Sequence, residues 1–472
     1  MKPLVWLRAD LRARDNTALH CACRRSGRGV LAVFLLAPDQ WREHDMAPVR
    51  VDFTLRALRE LSKTFEGRNI PLLIRRADRF DDAPQTLLKI AREHNCDELH
   101  FNREYELNER RRDNAVAELF TQNNIKVHAH HDQLLLEPGT VRTQSGGFYT
   151  VYTPFRKAVY AELESRGGVE TLDLPKRQPD LPTTPDPVPE TINGYESDIN
   201  PEAWPAGEEV ARRRLKTFIE SRIASYKQDR DTPSIDGTSR LSHHLAAGTI
   251  SPRQCVATAA EANGGRLDPG SPGPAHWISE VVWREFYKHI LVGFPRVCMH
   301  QPFRLETRAI EWRDDEEGFE AWRQGRTGFP IVDAAMRCLT RTGWMHNRLR
   351  MISAMFLTKD LLIDWRLGEK HFMRHLIDGD LASNNGGWQW SASTGTDAAP
   401  YFRIFNPASQ SRKCDPEGAF IRAWLPELAD LDEKSIHDPS QLPGLLRSQL
   451  DYPEPIVDHR KARDRAIAAF KK

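Results

Sequence analysis

The stretch on which the interpretation of this chain depends runs from residue 378 to residue 407 and reads DGDLASNNGGWQWSASTGTDAAPYFRIFNP. Two carboxylates, two adjacent amides and a glycine pair precede Trp388 and Trp390. Glycine permits the close approach of a ligand, and the asparagine side chain offers both donors and an acceptor. Two interpretations stay open from these residues alone: a polar loop between core helices, or the wall of a pocket for a flat heteroaromatic ring.

The composition is that of an ordinary globular protein. The chain has 472 residues, 40% of them hydrophobic and 28% charged, with a formal net charge of +1. The length predicts two or more domains, and any binding of nucleic acid requires a local patch of positive charge. The longest apolar run, Val30 to Ala37, is too short to span a membrane. The start has no signal-peptide pattern and the cysteines form no disulfide framework, so we expect a cytoplasmic protein without a membrane partner.

The first 135 residues predict an α/β domain, because short apolar runs alternate with amphipathic segments. The predicted strands are Leu4–Leu7, Val30–Leu36, Pro71–Ile74, Glu98–Phe101 and Lys126–His130, and the predicted helices lie near Arg50–Glu66, Asp82–His94 and Asn108–Gln122. We therefore expect a Rossmann-like, doubly wound parallel sheet. No G-x-G-x-x-G follows the first strand, which argues against a dinucleotide site in this domain.

A proline-rich connection over residues 136–206 is predicted to join this domain, residues 1–135, to a large all-helical domain over residues 207–472. Proline fixes φ and removes a hydrogen-bond donor, and a connection of this length is unusual inside one domain. Periodic apolar positions predict helices at Tyr152–Arg166, Glu208–Lys227, Ser251–Ala262, Ala275–Val292, Glu317–Gln324, Ile331–Thr342, His346–Asp364 and Gly368–Ile377.

The sequence lacks the common motifs of hydrolases and metal enzymes. It contains no G-x-S-x-G, no H-E-x-x-H and no P-loop. The histidines at 128, 130 and 131 and the pair at 243 and 244 have no partners at zinc spacing, so we expect no metal site. Without an evident acid–base pair or nucleophile, any chemistry belongs to a cofactor.

Three segments of the helical region combine polar and aromatic residues. Residues 237–242, GTSRLS, are either an anion site at a helix start or a plain N-cap. Residues 277–287, WISEVVWREFY, put a carboxylate and an arginine among aromatic rings on one helix face, where burial is costly without a partner or ligand. Residues 343–351, GWMHNRLRM, predict a helix start with a basic side.

These segments, together with LVWLRADLRARDNTAL at residues 4–19 and EYELNERRRD at residues 104–113, resemble one known family. The chain is similar to the class I, folate-type cyclobutane pyrimidine dimer photolyases of the photolyase–cryptochrome family. The resemblance covers essentially the whole chain. It implies light-driven repair, in which reduced, excited FAD donates an electron to the dimer in UV-damaged DNA and the electron returns after the ring has split.

The resemblance also implies the positions of the sites. For FAD it implies Tyr226, Thr238, Ser239, Arg240, Leu241, Ser242, Trp277, Glu280, Trp283, Arg284, Tyr287, Asn347, Asp378, Gly379, Asp380 and Asn384. The catalytic residues would be Glu280, Asn384, Trp283, Trp390 and Met351. Asn384 would face the reactive flavin nitrogen, and Glu280 would form a hydrogen bond to a dimer carbonyl. Trp283 and Trp390 would stack on the flipped thymines. DNA would be bound by Arg230, Arg284, Asn347, Arg348, Arg403 and Gln410. We expect the protein to be a monomer.

The same resemblance implies two further groups of functional residues, one for electron transfer and one for binding an antenna pigment. Trp312, Trp365 and Trp388 match the family's chain of electron carriers, although from the residues alone they are core packing. His44, Asn108, Glu109 and Cys298 match positions that bind a methenyltetrahydrofolate antenna. Met299 stands where relatives can carry a lysine, so a deazaflavin antenna is the alternative.

Two related functions are the alternatives to dimer repair. A (6-4) photolyase is expected to carry histidines where this chain has Asn347 and Met351. A cryptochrome, which is a blue-light receptor, often has a long C-terminal tail, whereas this chain stops at Lys472. Both observations favour a dimer photolyase.

Overall fold

The computed structural model describes residues 1–268 and 270–471. Their internal contacts divide the chain into two compact units. The first contains Met1–Ala224, Ser239–Cys298 and Ile377–Ala382, and the second contains Ser225–Thr238, Met299–Leu376 and Ser383–Lys472. The expected domain boundaries near 135 and 207 follow the change in secondary structure and stay a prediction.

The first unit contains a five-stranded parallel sheet in the order β3-β2-β1-β4-β5. Its strands are β1 (Pro3–Leu7), β2 (Leu31–Leu36), β3 (Leu72–Arg76), β4 (Glu98–Asn102) and β5 (Lys126–His130). Strands buried on both faces are nearly continuous apolar runs, and alternate residues of β1 belong to two separate cores: Val5 and Leu7 pack into one, and Leu4 and Trp6 into the other. The predicted sheet is confirmed, and within the described residues every strand lies before residue 131.

The helices are α1 (Thr17–Arg25), α2 (Pro38–Glu43), α3 (Pro48–Glu66), α4 (Ala83–Glu93), α5 (Leu107–Gln122), α6 (Tyr152–Ser165), α7 (Glu208–Ser221), α8 (Tyr226–Asp229), α9 (Ser242–Ala247), α10 (Pro252–Ala262), α11 (Pro272–Gly293), α12 (Glu316–Gln324), α13 (Pro330–Thr342), α14 (Asn347–Met355), α15 (Trp365–Met373), α16 (Leu381–Ala392), α17 (Pro407–Cys414), α18 (Ala419–Trp424), α19 (Gly444–Arg447) and α20 (His459–Lys471). Short 3₁₀ turns lie at Phe80–Asp82, Pro201–Ala203, Ile223–Ser225, Pro295–Met299, Leu305–Ala309, Pro426–Leu428, Ser435–His437 and Pro439–Gln441. Among the described residues, no helix combines the length and the apolar character that crossing a membrane requires.

Three predicted elements of the helical region differ from the structure. The helix predicted over Glu208–Lys227 is interrupted near its end, because α7 ends at Ser221 and a 3₁₀ turn precedes α8. The helix predicted over His346–Asp364 ends as an α-helix at Met355, continues as a π-helix over Phe356–Asp360 and stops where Leu362 takes a φ of 56°. The helix predicted from Gly368 begins at Trp365, since the side chain of Asp364 accepts the Arg366 N–H as its N-cap.

The fourth difference concerns the stretch at 378–407. Residues Leu381–Ala392, which hold both asparagines and the glycine pair, form the helix α16, so the interpretation as a loop is wrong. Glycine and asparagine are poor helix formers. Packing therefore decides the conformation here, with Trp388 buried in the core of the second unit.

Candidate functional site

The aromatic face predicted for residues 277–287 lies on α11 in the first unit. Trp277 is buried and contacts Phe218 with ring centroids 5.3 Å apart. The Trp283 ring stacks on Tyr152 at 3.6 Å and 9° and meets Tyr287 at 5.7 Å. Tyr152 was not predicted, and it covers one face of the Trp283 indole, so only the other face can take part in the stacking on a base that the sequence predicted.

Arg284 and its neighbour Glu285 attach α11 to the segment after β5. The Arg284 guanidinium donates to the carbonyl oxygen of Gln133 at 2.8 Å. The buried Glu285 carboxylate accepts the backbone N–H groups of Leu135 and Leu136, both at 2.9 Å. A guanidinium bound to a backbone carbonyl is less available to phosphate, which weakens the expectation that Arg284 binds FAD and DNA as well.

A buried lysine, Lys288, connects the same helix to one of the predicted cofactor residues. Its ammonium lies 2.8 Å from a carboxylate oxygen of Asp380 and also bonds Glu106. Burial alone would lower the pKa of Lys288, but the two carboxylates outweigh it and raise that pKa above its ordinary value. The sequence analysis missed Lys288 and Glu106, although a lysine within the apolar part of a predicted helix is a detectable signal.

The segment at 237–242 is not a plain N-cap. Helix α9 begins at Ser242 with Leu241 at the N-cap position, and among the described residues it has no side-chain N-cap hydrogen bond. Ser239 accepts a hydrogen bond from Arg214 at its carbonyl oxygen, 2.7 Å away, and Arg240 takes a positive φ of 46°. The interpretation of residues 237–242 as a plain N-cap is therefore wrong.

In the second unit, α16 holds the Asn384 amide in one orientation. The amide nitrogen donates to the backbone oxygen of Glu369 at 2.9 Å and to its carboxylate at 3.2 Å. Glu369 is buried and was missed by the sequence analysis. Since both donors of the Asn384 amide point at Glu369, its carbonyl oxygen is the atom that remains to accept a hydrogen bond from a ligand.

The next residue of α16, Asn385, carries a second buried side-chain amide. It is fully buried, its carbonyl oxygen accepts from Gln389 at 2.8 Å, and its amide nitrogen has no hydrogen-bond partner among the described residues. Leaving a buried donor unpaired costs about 1–3 kcal/mol. A Cβ at the exposed Gly387, one helical turn from Asn384, would meet no described atom within 4 Å, so the helix face that carries Asn384 is open at this turn. The buried donor of Asn385 is a separate feature, and an unpaired buried amide fits a polar ligand.

The three tryptophans predicted to carry electrons share the core of the second unit. Trp365 and Trp388 are 1% and 2% exposed, and the half-buried Trp312 packs against the same core. A Cβ on Gly368 would lie 2.1 Å from the Trp388 ring, so only glycine fits on α15 beside it. Trp322, which was not predicted, meets Trp388 edge-on at 6.0 Å.

The predicted DNA-binding residues of the second unit differ in how much charge they offer. Arg348 pairs with Asp231 at 2.7 Å, and Arg230 lies 3.7 Å from the same carboxylate. Arg403 is exposed and stands beside Phe402, which is 61% exposed.

The remaining predicted residues of this unit differ mainly in exposure. Gln410, Trp390 and Met351 are half-buried, and Asn347 is exposed at the first turn of α14, one turn from Met351. Tyr226 is buried at the start of α8.

The predicted antenna residues are brought together in the first unit. His44 lies 3.4 Å from the Glu109 carboxylate and 3.2 Å from the Asn108 amide. Cys298 is buried. Burial, with the nearby acidic side chains, raises the pKa of Glu109 to about 8, whereas burial lowers the pKa of His44. A compact set of neutral polar groups results.

Comparisons with known proteins agree with this arrangement. Residues 3–180 match the family described as DNA photolyase, and residues 277–472 match the FAD binding domain of DNA photolyase. The deoxyribodipyrimidine photo-lyase of Salmonella typhimurium is 44% identical over 467 residues, which cover 99% of this chain and 98% of the relative.

Two solved structures are similar over the whole chain. The crystal structure of a bacterial class III photolyase from Agrobacterium tumefaciens has a TM-score of 0.88 at 36% identity and covers 100% of this chain and 97% of that one. The crystal structure of a Synechocystis cryptochrome has a TM-score of 0.88 at 28% identity, with 99% of each chain covered. By the identity and coverage of these relatives, the chain belongs to the DNA photolyase family.

Proposed function

We propose that this protein repairs UV-damaged DNA by splitting cyclobutane pyrimidine dimers with light, as a deoxyribodipyrimidine photo-lyase. The observation that carries the proposal is the 44% identity, over 99% of the chain, to a relative of that name. The geometry of α16, with an oriented Asn384 and an unpaired Asn385, supports a polar heteroaromatic ligand in the same region that the FAD-binding family covers.

The residues present fit FAD, and they divide by chemistry. The hydroxyls of Thr238, Ser239 and Ser242 suit the phosphates, and the carboxylates of Asp378 and Asp380 suit hydroxyl and amine donors. Bound in its reduced form, FAD supplies the light-driven electron transfer that this reaction requires.

The role of Asn384 follows from its partner. Glu369 holds both amide hydrogens, so the carbonyl oxygen is presented as an acceptor and does not rotate to become a donor. An acceptor at this place selects a ligand nitrogen that carries a hydrogen, and the orientation is set before the ligand binds. Glu369 is thus a positioning residue for Asn384.

The lesion is proposed to meet residues that are only partly buried. Photolyases are among the enzymes that take the damaged bases out of the stack, so their pocket must open to solvent. Glu280, Trp390 and Met351 are half-buried, and Asn347 is exposed. In its protonated form, the Glu280 carboxyl group would donate a hydrogen bond to a dimer carbonyl, and the uncovered face of Trp283 offers an aromatic surface.

DNA binding is proposed to depend on few cations. Arg403 is exposed, while Arg230 and Arg348 share Asp231 and contribute less net charge. Phosphate contacts position the duplex without reading its sequence. The lesion itself then supplies the specificity.

For the antenna we propose a folate held by His44, Asn108, Glu109 and Cys298. Glu109 with a raised pKa and a neutral His44 both offer hydrogen bonds to a pterin-like ring. Met299 is exposed and carries no charge, so the glutamate tail of a folate lacks a cation at that position. The near-ultraviolet absorption of the purified protein distinguishes a folate from a deazaflavin.

A single experiment tests the main proposal. The purified protein, with its flavin reduced, is illuminated with blue light in the presence of an oligonucleotide that contains one thymine dimer. Restored thymines in the light, and none in the dark, are the expected result. A protein that binds flavin and responds to light but restores no thymines would be a receptor of the cryptochrome kind, and repair of (6-4) lesions alone would assign it to the other enzyme class.

A further inference from the structure

A group of one carboxylate and three imidazoles lies on one face of the sheet, at its β5 edge. The parallel register pairs His100 with His128 and Asn102 with His130. Alternate residues of a strand share a face, so Glu98, two residues before His100, joins both histidines. The rings of His100 and His128 stack with centroids 4.4 Å apart. We call Glu98, His100, His128 and His130 the β4–β5 cluster.

The distances in this cluster suit a bound metal ion. The Nε2 atom of His100 lies 3.3 Å from the Glu98 carboxylate, and the Nε2 atom of His128 lies 3.6 Å from it. One ligand atom from each of the three residues lies within 4.8 Å of the other two. Ligands about 2.0–2.1 Å from a tetrahedral zinc ion stand roughly 3.3–3.4 Å apart. The carboxylate and the imidazoles are therefore already near the separations that one ion imposes.

His130, the fourth member of the cluster, contacts the second ring nitrogen of His100. The Nδ1 atom of His100 lies 3.1 Å from the Nε2 atom of His130. A metal-bound imidazole commonly donates its second N–H to such a neighbour, so with an ion in place the Nδ1–H of His100 would donate to His130 and the Nε2 lone pair would be left for the metal.

His128 provides the accessible side of the site. It lies on the edge strand and its side chain is 28% exposed, while Glu98 and His100 are buried. Its buried Nε2 atom has no hydrogen-bond partner within the described part of the chain. An unpaired ring nitrogen aimed at a carboxylate leaves a place for an ion and a route for its entry.

We propose that Glu98, His100 and His128 bind one divalent transition-metal ion such as Zn²⁺, with water at the remaining position. Two imidazoles and one carboxylate are a donor set that zinc, cobalt and nickel accept, whereas Mg²⁺ and Ca²⁺ prefer oxygen ligands alone. The site is separate from the residues proposed for FAD, the antenna and DNA.

Arg25 of α1 competes with the ion for the carboxylate. Its guanidinium nitrogens lie 3.1 and 2.9 Å from the two Glu98 oxygens. The Arg25 side chain is 42% exposed, so it can withdraw into solvent when a cation replaces it. Removal of Arg25 should therefore strengthen metal binding, which is the opposite of what removal of a ligand does.

The test is a titration of the purified flavoprotein, without a histidine tag and after treatment with a chelator, with Co²⁺ followed by Zn²⁺. One equivalent of Co²⁺ should give the visible bands of a tetrahedral ion, and Zn²⁺ should displace it. His128→Gln should weaken Co²⁺ binding by about tenfold or more, and Arg25→Gln should strengthen it. His20→Gln, which removes a half-buried histidine of α1 outside the cluster, serves as the control and should leave the affinity unchanged.

The design separates a metal site from a plain stack of histidines with an ion pair. The proposal is overturned if neither the parent protein nor Arg25→Gln binds one equivalent. It is also overturned if His128→Gln, shown to be folded by its thermal unfolding, binds as tightly as the parent, or if His20→Gln weakens binding equally.

Discussion

Replacement of Trp388 by phenylalanine separates the two uses that this indole can have. Its ring is 2% exposed, and its N–H has no hydrogen-bond partner among the described residues. The substitution therefore removes buried area without breaking a hydrogen bond, and we expect it to lower the free energy of unfolding by about 1–2 kcal/mol. Photoreduction of oxidised flavin should be lost, and repair with chemically reduced flavin should be kept.

Trp322 provides the matched control, because it is a neighbouring indole in the same core. Its N–H donates to the carbonyl oxygen of Ser353 at 3.1 Å. Trp322→Phe loses that bond as well as the area, which adds about 0.5–1.5 kcal/mol to the destabilisation. It should nevertheless photoreduce, since Trp322 is not one of the three predicted carriers.

The assay compares the two variants by urea unfolding and by flavin absorbance under blue light. Urea unfolding should rank Trp322→Phe as the less stable variant, and absorbance should show photoreduction failing in Trp388→Phe alone. The reasoning is refuted if Trp388→Phe photoreduces like the parent, or if Trp322→Phe blocks photoreduction to the same degree.

Three other substitutions test separate parts of the site. The side-chain amide of Glu369→Gln can turn its N–H groups toward Asn384, so the Asn384 amide is no longer held in one orientation and flavin should be bound more weakly than in the parent. An unchanged flavin content after gel filtration would contradict the positioning role of Glu369. Because burial raises the folded pKa of Glu109 to about 8, its contribution to stability is present below about pH 4.5 and is lost as the pH rises through 8. Glu109→Gln should therefore stabilise the protein at pH 8–9 relative to the parent in thermal unfolding, and an equal loss of stability with pH in both proteins would count against this. Arg403→Ala should weaken binding to damaged DNA and reduce the slope of log K against log salt by about 1; a slope that does not change would exclude a phosphate contact by Arg403.

The strands could be predicted because their signal is local. Each lies in a short apolar run bounded by helical segments, and all five were located within two residues. The stretch at 378–407 shows the opposite case. Its glycines and asparagines argue locally for a loop, but the burial of Trp388 against Gly368 supplies packing energy that propensity does not report.

Most of the site residues that the sequence analysis missed are recognisable only through contacts with residues that are distant in sequence. Glu369 is recognisable only through its hydrogen bonds to Asn384, fifteen residues later. Glu106 and Lys288 are 182 residues apart and meet only in the folded first unit. The spacing rules that identify a metal site within one segment likewise cannot find Glu98 and His100 on one strand with His128 on the next. Strand register, and not sequence spacing, places them together.

The burial of the three tryptophans that are predicted to carry electrons also predicts the direction of electron transfer along them. Trp388 and Trp365 lie in a dry core, where a positive charge left by a departing electron is costly because nothing solvates it. Trp312 is half-buried, so water can stabilise the same charge there. The free energy of the positive charge therefore falls from Trp388 toward Trp312, which moves electrons inward and separates the charges.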